Sequence, residues 1–557
     1  MLKAIQKGWL TGVLALTLVV QPVSADENMS VAELLGAAEA AMTDGDYKAG
    51  VQGYLDTALA SDSVETARQA TIVATEFGFD QVAVQAAERW AVIAPASTEA
   101  RQYRAYATVR GGDIKDAVAQ FSALIESTDD VDAICDHAKE ALDRDARPVD
   151  VSDVFKALAK KFDETPCVLR LAALTAVGVS EHDRAEKYLE ALKDLDAFDN
   201  AARLIAITRL VRQEEADAAF TDETLYLDQN ATIDERLELA FLNAQSDQGE
   251  NALNMVSQLR EEAPDNVDVL QGEGLLKLQA GDVAGAQTAF RELLISGEKT
   301  SDALFYLGRF AEGERRFDQA TRMYSQVAHG DLVVAAQRRA ATIIGQREGI
   351  EAGISHVEGF AKRHPRYGLA LSLVTAAAYA EGDYFDQSLA LYDDYLALRP
   401  SAEFAQLARA DVLLQADRLD DAIEAFRSVV KRFPDSANAM NALGYTLADR
   451  TTKFREAERL IDKALKKEPD NAAIIDSKGW VLFRRGRFTE ALEYLERAWD
   501  EFPDPEVAAH LGETLWRLGR EDESRQLLQD AWQRFPNNDD LRDTIERLLD
   551  DGPTTRS

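Results

Sequence analysis

Nine of the thirteen prolines in this 557-residue chain fall on one lattice. They are Pro95, Pro166, Pro264, Pro365, Pro400, Pro434, Pro469, Pro503 and Pro536. Their spacings run close to two, three and three multiples of one length, about 34 residues, and then to that length five times over. The stretch from Pro95 to Pro536 thus holds thirteen such intervals. Proline lacks the amide hydrogen that a helix interior needs, and its ring collides with the preceding turn. Its recurrence therefore marks where one unit ends and the next opens. A chain with this period is expected to fold as an array, so its length is not a count of ordinary domains.

Between the prolines, small and large residues recur at fixed phase. Gly479, Leu482, Gly486, Ala491, Leu495, Ala498 and Pro503 are followed in the next unit by Leu511, Gly512, Leu515, Gly519, Leu528, Ala531 and Pro536, with Ser524 where the small Ala is expected. The first glycine lets one helix lie close against its partner, the alanine permits the return crossing, and the large apolar residues fill the space between. Glycine and proline together make up only 44 residues, a low share that favours helix over loop-rich β architecture. Each unit is predicted to be a helical hairpin.

This pattern resembles the tetratricopeptide repeat, a 34-residue helix-turn-helix module. It is strongest in residues 267 to 330 (Gly274, Gly281, Ala286, Phe290; Leu307, Gly308, Ala320, Tyr324) and from about 403 to 536. In the first half it survives as Gly45 and Tyr54, Gly78 and Ala83, and Gly112, Ala117 and Phe121, with residues 196 to 232 least regular. Two departures stand out. Ala457 comes one place late after Gly444, so the turn through Thr451 and Thr452 is expected to carry an extra residue. Lys478 replaces the apolar residue that usually precedes the glycine. The resemblance implies an all-α fold, a right-handed α-solenoid of about fifteen hairpins, closed by a C-terminal capping helix. The expected organisation is a signal peptide over 1–25, a divergent array over 26–232, a middle array over 233–402 and a well-matched array over 403–538. A capping helix and flexible tail follow over 539–557.

Residues 1–25 read as an export signal. Lys3 and Lys7 form a basic start, Trp9 to Val20 is mostly apolar, and Val23-Ser24-Ala25 offers the small residues of a cleavage site. The apolar run of about 12 residues is shorter than the roughly 20 needed to span a bilayer. The first cysteine after such a cut is Cys135, so no lipid anchor is expected, and in a bacterial frame export means periplasm. Cys135 and Cys167, 32 residues apart, are far from any CxxC spacing. They read either as a disulfide or as two small buried thiols.

Acidic residues outnumber basic ones by 98 to 62, a net charge of −36, which makes nucleic acid a poor partner. The excess fits either a basic protein partner or a surface kept hydrated at high salt. No constellation for catalysis, cofactor or metal binding is visible. The six histidines (His137, His182, His329, His356, His364, His510) are scattered without an HExxH, and no GxSxG, GxxxxGK[ST] or strand-linked GxGxxG occurs. Thr43-Asp44-Gly45-Asp46 lacks the closing glutamate of a calcium loop and reads as an inter-helix turn. A non-enzymatic binding protein is expected.

By the repeat family's geometry the first helix of each hairpin faces a groove. That selects Asn438, Asn441 and Tyr445, then Asp476, Trp480, Phe483 and Arg484, then Glu513, Trp516 and Arg517 as partner-binding candidates, aromatic and arginine side chains being typical of binding hot spots. Trp480 and Trp516 equally fit packing between repeats. The basic set that clamps a C-terminal carboxylate is not reproduced. The segments 441–451, 476–486 and 503–512 are similar to a family of bacterial envelope tetratricopeptide proteins. That likeness implies an adaptor that brings cell-wall hydrolases to a periplasmic carboxyl-terminal processing protease. The alternative is a structural scaffold of an exopolysaccharide synthesis or export complex.

Overall fold

The computed structural model describes residues 29–549 apart from Gly45, Asp129, 143–146, Asp247 and Asn537. The predicted signal segment and the last eight residues lie outside the described range. The described residues form thirty-one α-helices and two short 3-10 turns, with no strand. They run as antiparallel pairs from Val31–Asp44 with Tyr47–Leu59 to Pro505–Arg517 with Glu521–Arg534, and a last helix, Asp539–Leu548, follows. Nearly every helix packs on its hairpin partner, and successive hairpins pack on one another. The apolar core is accordingly a succession of clusters along the chain instead of one centre.

The hairpin Ala472–Arg484 and Phe488–Glu501 shows why the sequence folds this way. A Cβ added at Gly479 would sit 2.5 Å from Leu495 Cγ, and one at Gly512 would sit 2.7 Å from Leu528 in the next unit, so neither position has room for a side chain. Ala491, Leu495 and Ala498 form the buried stripe of the second helix. The lattice prolines do more than end a helix. Two residues after Pro95, Pro264, Pro434, Pro469 and Pro536 come Ser97, Asn266, Ser436, Asn471 and Asn538, and each accepts a backbone N–H of the helix it opens. Such a cap stabilises a helix by about 0.5–2 kcal/mol.

Most hairpins turn through one left-handed residue, among them Gly78, Gly112, Gly281, Asp417, Gly486 and Gly519. The hairpin of Ala437–Arg450 and Phe454–Lys467 does not. Its extra residue lengthens the first helix to 14 residues instead of enlarging the turn. Thr451 is extended (φ −140°), and its hydroxyl donates to the Leu447 carbonyl (2.6 Å) and accepts from the Lys453 amide (3.0 Å). Lys478 is buried but neutralised, its ammonium lying 2.9 Å from Glu458 and 2.6 Å from Asp462.

The array curls until distant hairpins meet. Tyr47 donates to the Ala361 carbonyl (2.8 Å), and Arg399 donates to the Gly78 carbonyl (2.7 Å) and faces Asp80 at 3.6 Å. Arg110 holds the same carboxylate at 2.8 Å, and Leu369 and Leu398 pack beside Val51 and Phe79. Arg147 lies over the Phe433 ring at 5.1 Å. Removing Arg399 deprives the Gly78 carbonyl of its donor. Arg399→Ala is expected to weaken the closure by about 1–3 kcal/mol, read as a larger radius of gyration in X-ray scattering. An unchanged radius would show that the contact does not hold the curl.

Candidate partner-binding wall

In much of the chain the first helices of successive hairpins pack on one another side by side. Ala437–Arg450, Ala472–Arg484, Pro505–Arg517 and the final helix do so in sequence. The ten residues predicted to face partners lie on this row, but their exposure differs sharply. Asn438 and Arg517 are open to solvent, whereas Asn441, Tyr445, Arg484 and Trp516 are half-buried. Asp476, Trp480, Phe483 and Glu513 are buried, and for Trp480 this is the packing between repeats that the sequence left open beside a partner-binding role.

The cause is a residue that sequence reading left aside. His510, buried itself, stacks on Trp480 with ring centres 4.0 Å apart, and Trp480 stacks on Phe483 at 4.8 Å. The indole N–H donates to Asp449 Oδ1 (3.2 Å). Arg484 reaches the Asp449 carbonyl (2.5 Å) and carboxylate (3.3 Å) while lying 5.7 Å from the Trp480 ring. His510 Nδ1 meets both Asp476 oxygens, at 2.9 and 3.1 Å. Tyr445 donates to the Glu506 carboxylate across two repeats, and Glu513 takes both guanidinium nitrogens of Arg547 on the capping helix (2.8 and 2.9 Å). Trp516 belongs to the apolar cluster beneath that helix, with Leu541 and Ile545. The wall is thus cross-linked by pairs about one repeat apart: Asp476 with His510, Asp449 with Arg484, Glu513 with Arg547.

Burial opposes charge on His510, but Asp476, with Glu506 and Asp449 beyond it, outweighs burial and raises the imidazole above its ordinary value. Burial, reinforced by Glu506, likewise pushes the Tyr445 phenol far up, so it stays a donor. The sign follows for stability. A raised imidazole contributes fully below the unfolded value of about 6.5 and loses its contribution as pH rises through the folded value. The C-terminal hairpins are expected to have a higher urea midpoint at pH 6 than at pH 8.5, read by tryptophan emission. One proton limits the slope to about 1.4 kcal/mol per pH unit. Asp476→Asn removes the difference, and a midpoint that rises between those pH values would contradict the charged pair.

A second feature lies where the sequence is least regular. The second helix there is cut to six residues, Ala216–Thr221, and a 3-10 turn, Glu223–Leu225, replaces its remainder. A cavity of about 320 Å³ opens, with an apolar floor that includes Phe220, Leu225 and Met255 and a rim of Gln248, Asn251, Asn254 and Gln258. Uncharged amides over an apolar floor can hydrogen-bond peptide groups without a charge match. The loss of repeat phase over 196–232 was the only sequence signal of this gap. Among the described residues, no group of three or more His, Cys, Asp or Glu is placed to hold a metal ion, and no helix is long and apolar enough to cross a membrane.

The tetratricopeptide repeat family matches residues 271–328 and, in overlapping segments, 376–548. These segments are tetratricopeptide repeats. A TPR repeat-containing protein of Pseudomonas aeruginosa is 43% identical over 246 residues, 44% of this chain and 42% of that protein. Human mitochondrial import receptor subunit TOM70 is 28% identical over 124 residues, 21% of this chain and 20% of that protein. The chain thus matches less than half the length of these curated relatives. Among solved structures, yeast Tom70 aligns over 93% of this chain and 94% of its own at 13% identity, with a TM-score of 0.37. Tetratricopeptide repeat proteins are generally non-catalytic scaffolds, and protein partners are what such an array implies.

Proposed function

We propose that this tetratricopeptide array is a non-enzymatic adaptor of the bacterial periplasm that holds protein partners for another chain to act on. The observation that carries the reading is the row of first helices from Ala437–Arg450 to Asp539–Leu548, stiffened by ion pairs from one repeat to the next. It keeps Asn438 and Arg517 open and Arg484 and Trp516 half-open along one surface. A rigid wall loses little conformational entropy on binding, so its exposed groups recognise a partner at low ordering cost. The bond between Cys135 and Cys167, with Cα atoms 6.0 Å apart, supports export, because such bonds persist in oxidising compartments. The export-like segment 1–25 agrees with it.

The likeness of residues 441–451, 476–486 and 503–512 to protease adaptors of the envelope supports a finer version, in which the partners are cell-wall hydrolases and a carboxyl-terminal processing protease. Affinity capture from envelope extract with the full chain is expected to recover a protease or a wall hydrolase. Recovery of polysaccharide-export components in their place would favour a scaffold of an exopolysaccharide complex, and recovery of neither would remove the adaptor reading.

A further inference from the structure

The altered turn at Thr451 has a neighbour that neither the repeat pattern nor the wall accounts for. Beside it lies an open hollow of about 690 Å³ lined by Thr452, Lys453, Phe454, Arg455, Glu456, Arg459, Arg484 and Arg485. Five of these eight residues are cationic, in a chain whose net charge is −36. The one carboxylate of the lining, Glu456, is held by Arg427 at 2.8 Å, outside the hollow. Arg485 pairs with Glu458, which also takes Lys478 (2.9 Å) and Arg487 (3.1 Å) and is therefore saturated. Lys453, Arg455 and Arg459 are exposed, and none has a carboxylate within ion-pair distance among the described residues. Three unpaired cations within seven residues, facing two more across one hollow, leave a local positive field that the protein itself does not neutralise.

We propose that this hollow binds an acidic segment of a protein partner, its carboxylates meeting Lys453, Arg455 and Arg459. The site deepens the scaffold reading and rests on it for the class of partner. Guanidinium forks match carboxylates in two-point geometry, which favours Arg over Lys in such a role. The half-buried ring of Phe454, with the Arg484 guanidinium 5.6 Å from its centre, adds an apolar face. A peptide side chain can cover that face and a bare phosphate chain cannot. Elsewhere the acidic surface repels such a segment, so the field confines it to this place.

The test uses the full chain and a fluorescein-labelled hexaglutamate, followed by anisotropy at 50 mM and 200 mM salt. Hexaglutamate is expected to bind, more weakly at the higher salt, and hexaglutamine is not. The triple variant Lys453→Gln, Arg455→Gln, Arg459→Gln is expected to lose at least about tenfold in affinity. Lys115→Gln, Lys156→Gln, Lys160→Gln, which removes the same charge from exposed positions in other hairpins, is expected to change it less than twofold. Equal losses in the two triples would overturn the site, as would binding of tripolyphosphate without hexaglutamate. On the unmodified protein, hexaglutamate should slow amide exchange in residues 452–459 and 484–488, and protection confined to other hairpins would overturn it without recourse to a variant. Partner capture from envelope extract with no hexaglutamate binding defeats this site alone, whereas hexaglutamate binding with no partner captured defeats the adaptor reading alone.

Discussion

Ala491→Glu is expected to open the hairpin of Ala472–Arg484 and Phe488–Glu501 and to uncouple the units on either side. Ala491 is fully buried at the crossing, in a cluster with Trp480, Leu482, Leu495 and Leu511, and its carbonyl lies 3.3 Å from where a Cβ on Gly479 would be. A glutamate there must either bury a carboxylate without a partner or push the helices apart. Both routes cost on the order of 4 kcal/mol or more, above the ordinary range for a single substitution. In an array, stability is nearly a sum of repeat and neighbour terms, so the damage stays local. Amide exchange is expected to rise in residues 437–534 while the hairpins between Val31 and Lys161 keep their protection. A single cooperative melt unchanged from wild type would contradict the packing of nested hairpins.

The second large effect concerns the bond between Cys135 and Cys167. It ties the helix Val131–Leu142 to the helix Pro166–Gly178, one repeat further on, and both sulfurs sit in the apolar cluster of that region. Closing a loop of 32 residues removes chain entropy from the unfolded state worth about 3–4 kcal/mol. Denatured, non-reduced protein is expected to show no free thiol. Reduction is expected to raise amide exchange between Thr98 and Gly178 while leaving the hairpins after Ala437 unchanged. Two free thiols in protein recovered from the periplasm would remove the bond and, with it, one support for export.

Much of the architecture was legible because it rests on steric rules that a sequence displays directly. A proline stops a helix wherever it occurs, and Gly479 and Ala491 announce close crossings by the absence of bulk. A Ser or Asn two places after five of the nine prolines, from Ser97 to Asn538, is a capping signal that the sequence also displays. The late Ala457 did register an insertion, but not its location. Only the structure shows that the residue is absorbed by the helix while Thr451 gives up the left-handed turn, because a hydroxyl bond to Leu447 makes the longer helix self-sufficient.

The wall was legible in direction but not in occupancy. Position along the first helix tells that Trp480 and Phe483 point inward. It does not tell that His510 arrives from the next hairpin to cover the indole, nor that Glu513 faces Arg547. The signal for these pairs was present as complementary charge about one repeat apart, as in Asp476 with His510. The contacts between hairpins many repeats apart, such as Arg399 with Gly78, have no such signal. They depend on the accumulated curvature of the whole array, to which each repeat adds a small rotation.

Photo-crosslinking in living cells from single positions tests most directly the claim that the row of first helices grips protein partners. With the photoreactive residue at Asn438 or Arg517, the two exposed positions among the predicted partner-facing residues, adducts of discrete mass are expected. From Glu493 and Glu496, exposed on the helix Phe488–Glu501 of the opposite layer, none is expected. Adducts from the second layer alone, with Asn438 and Arg517 silent, would contradict the account.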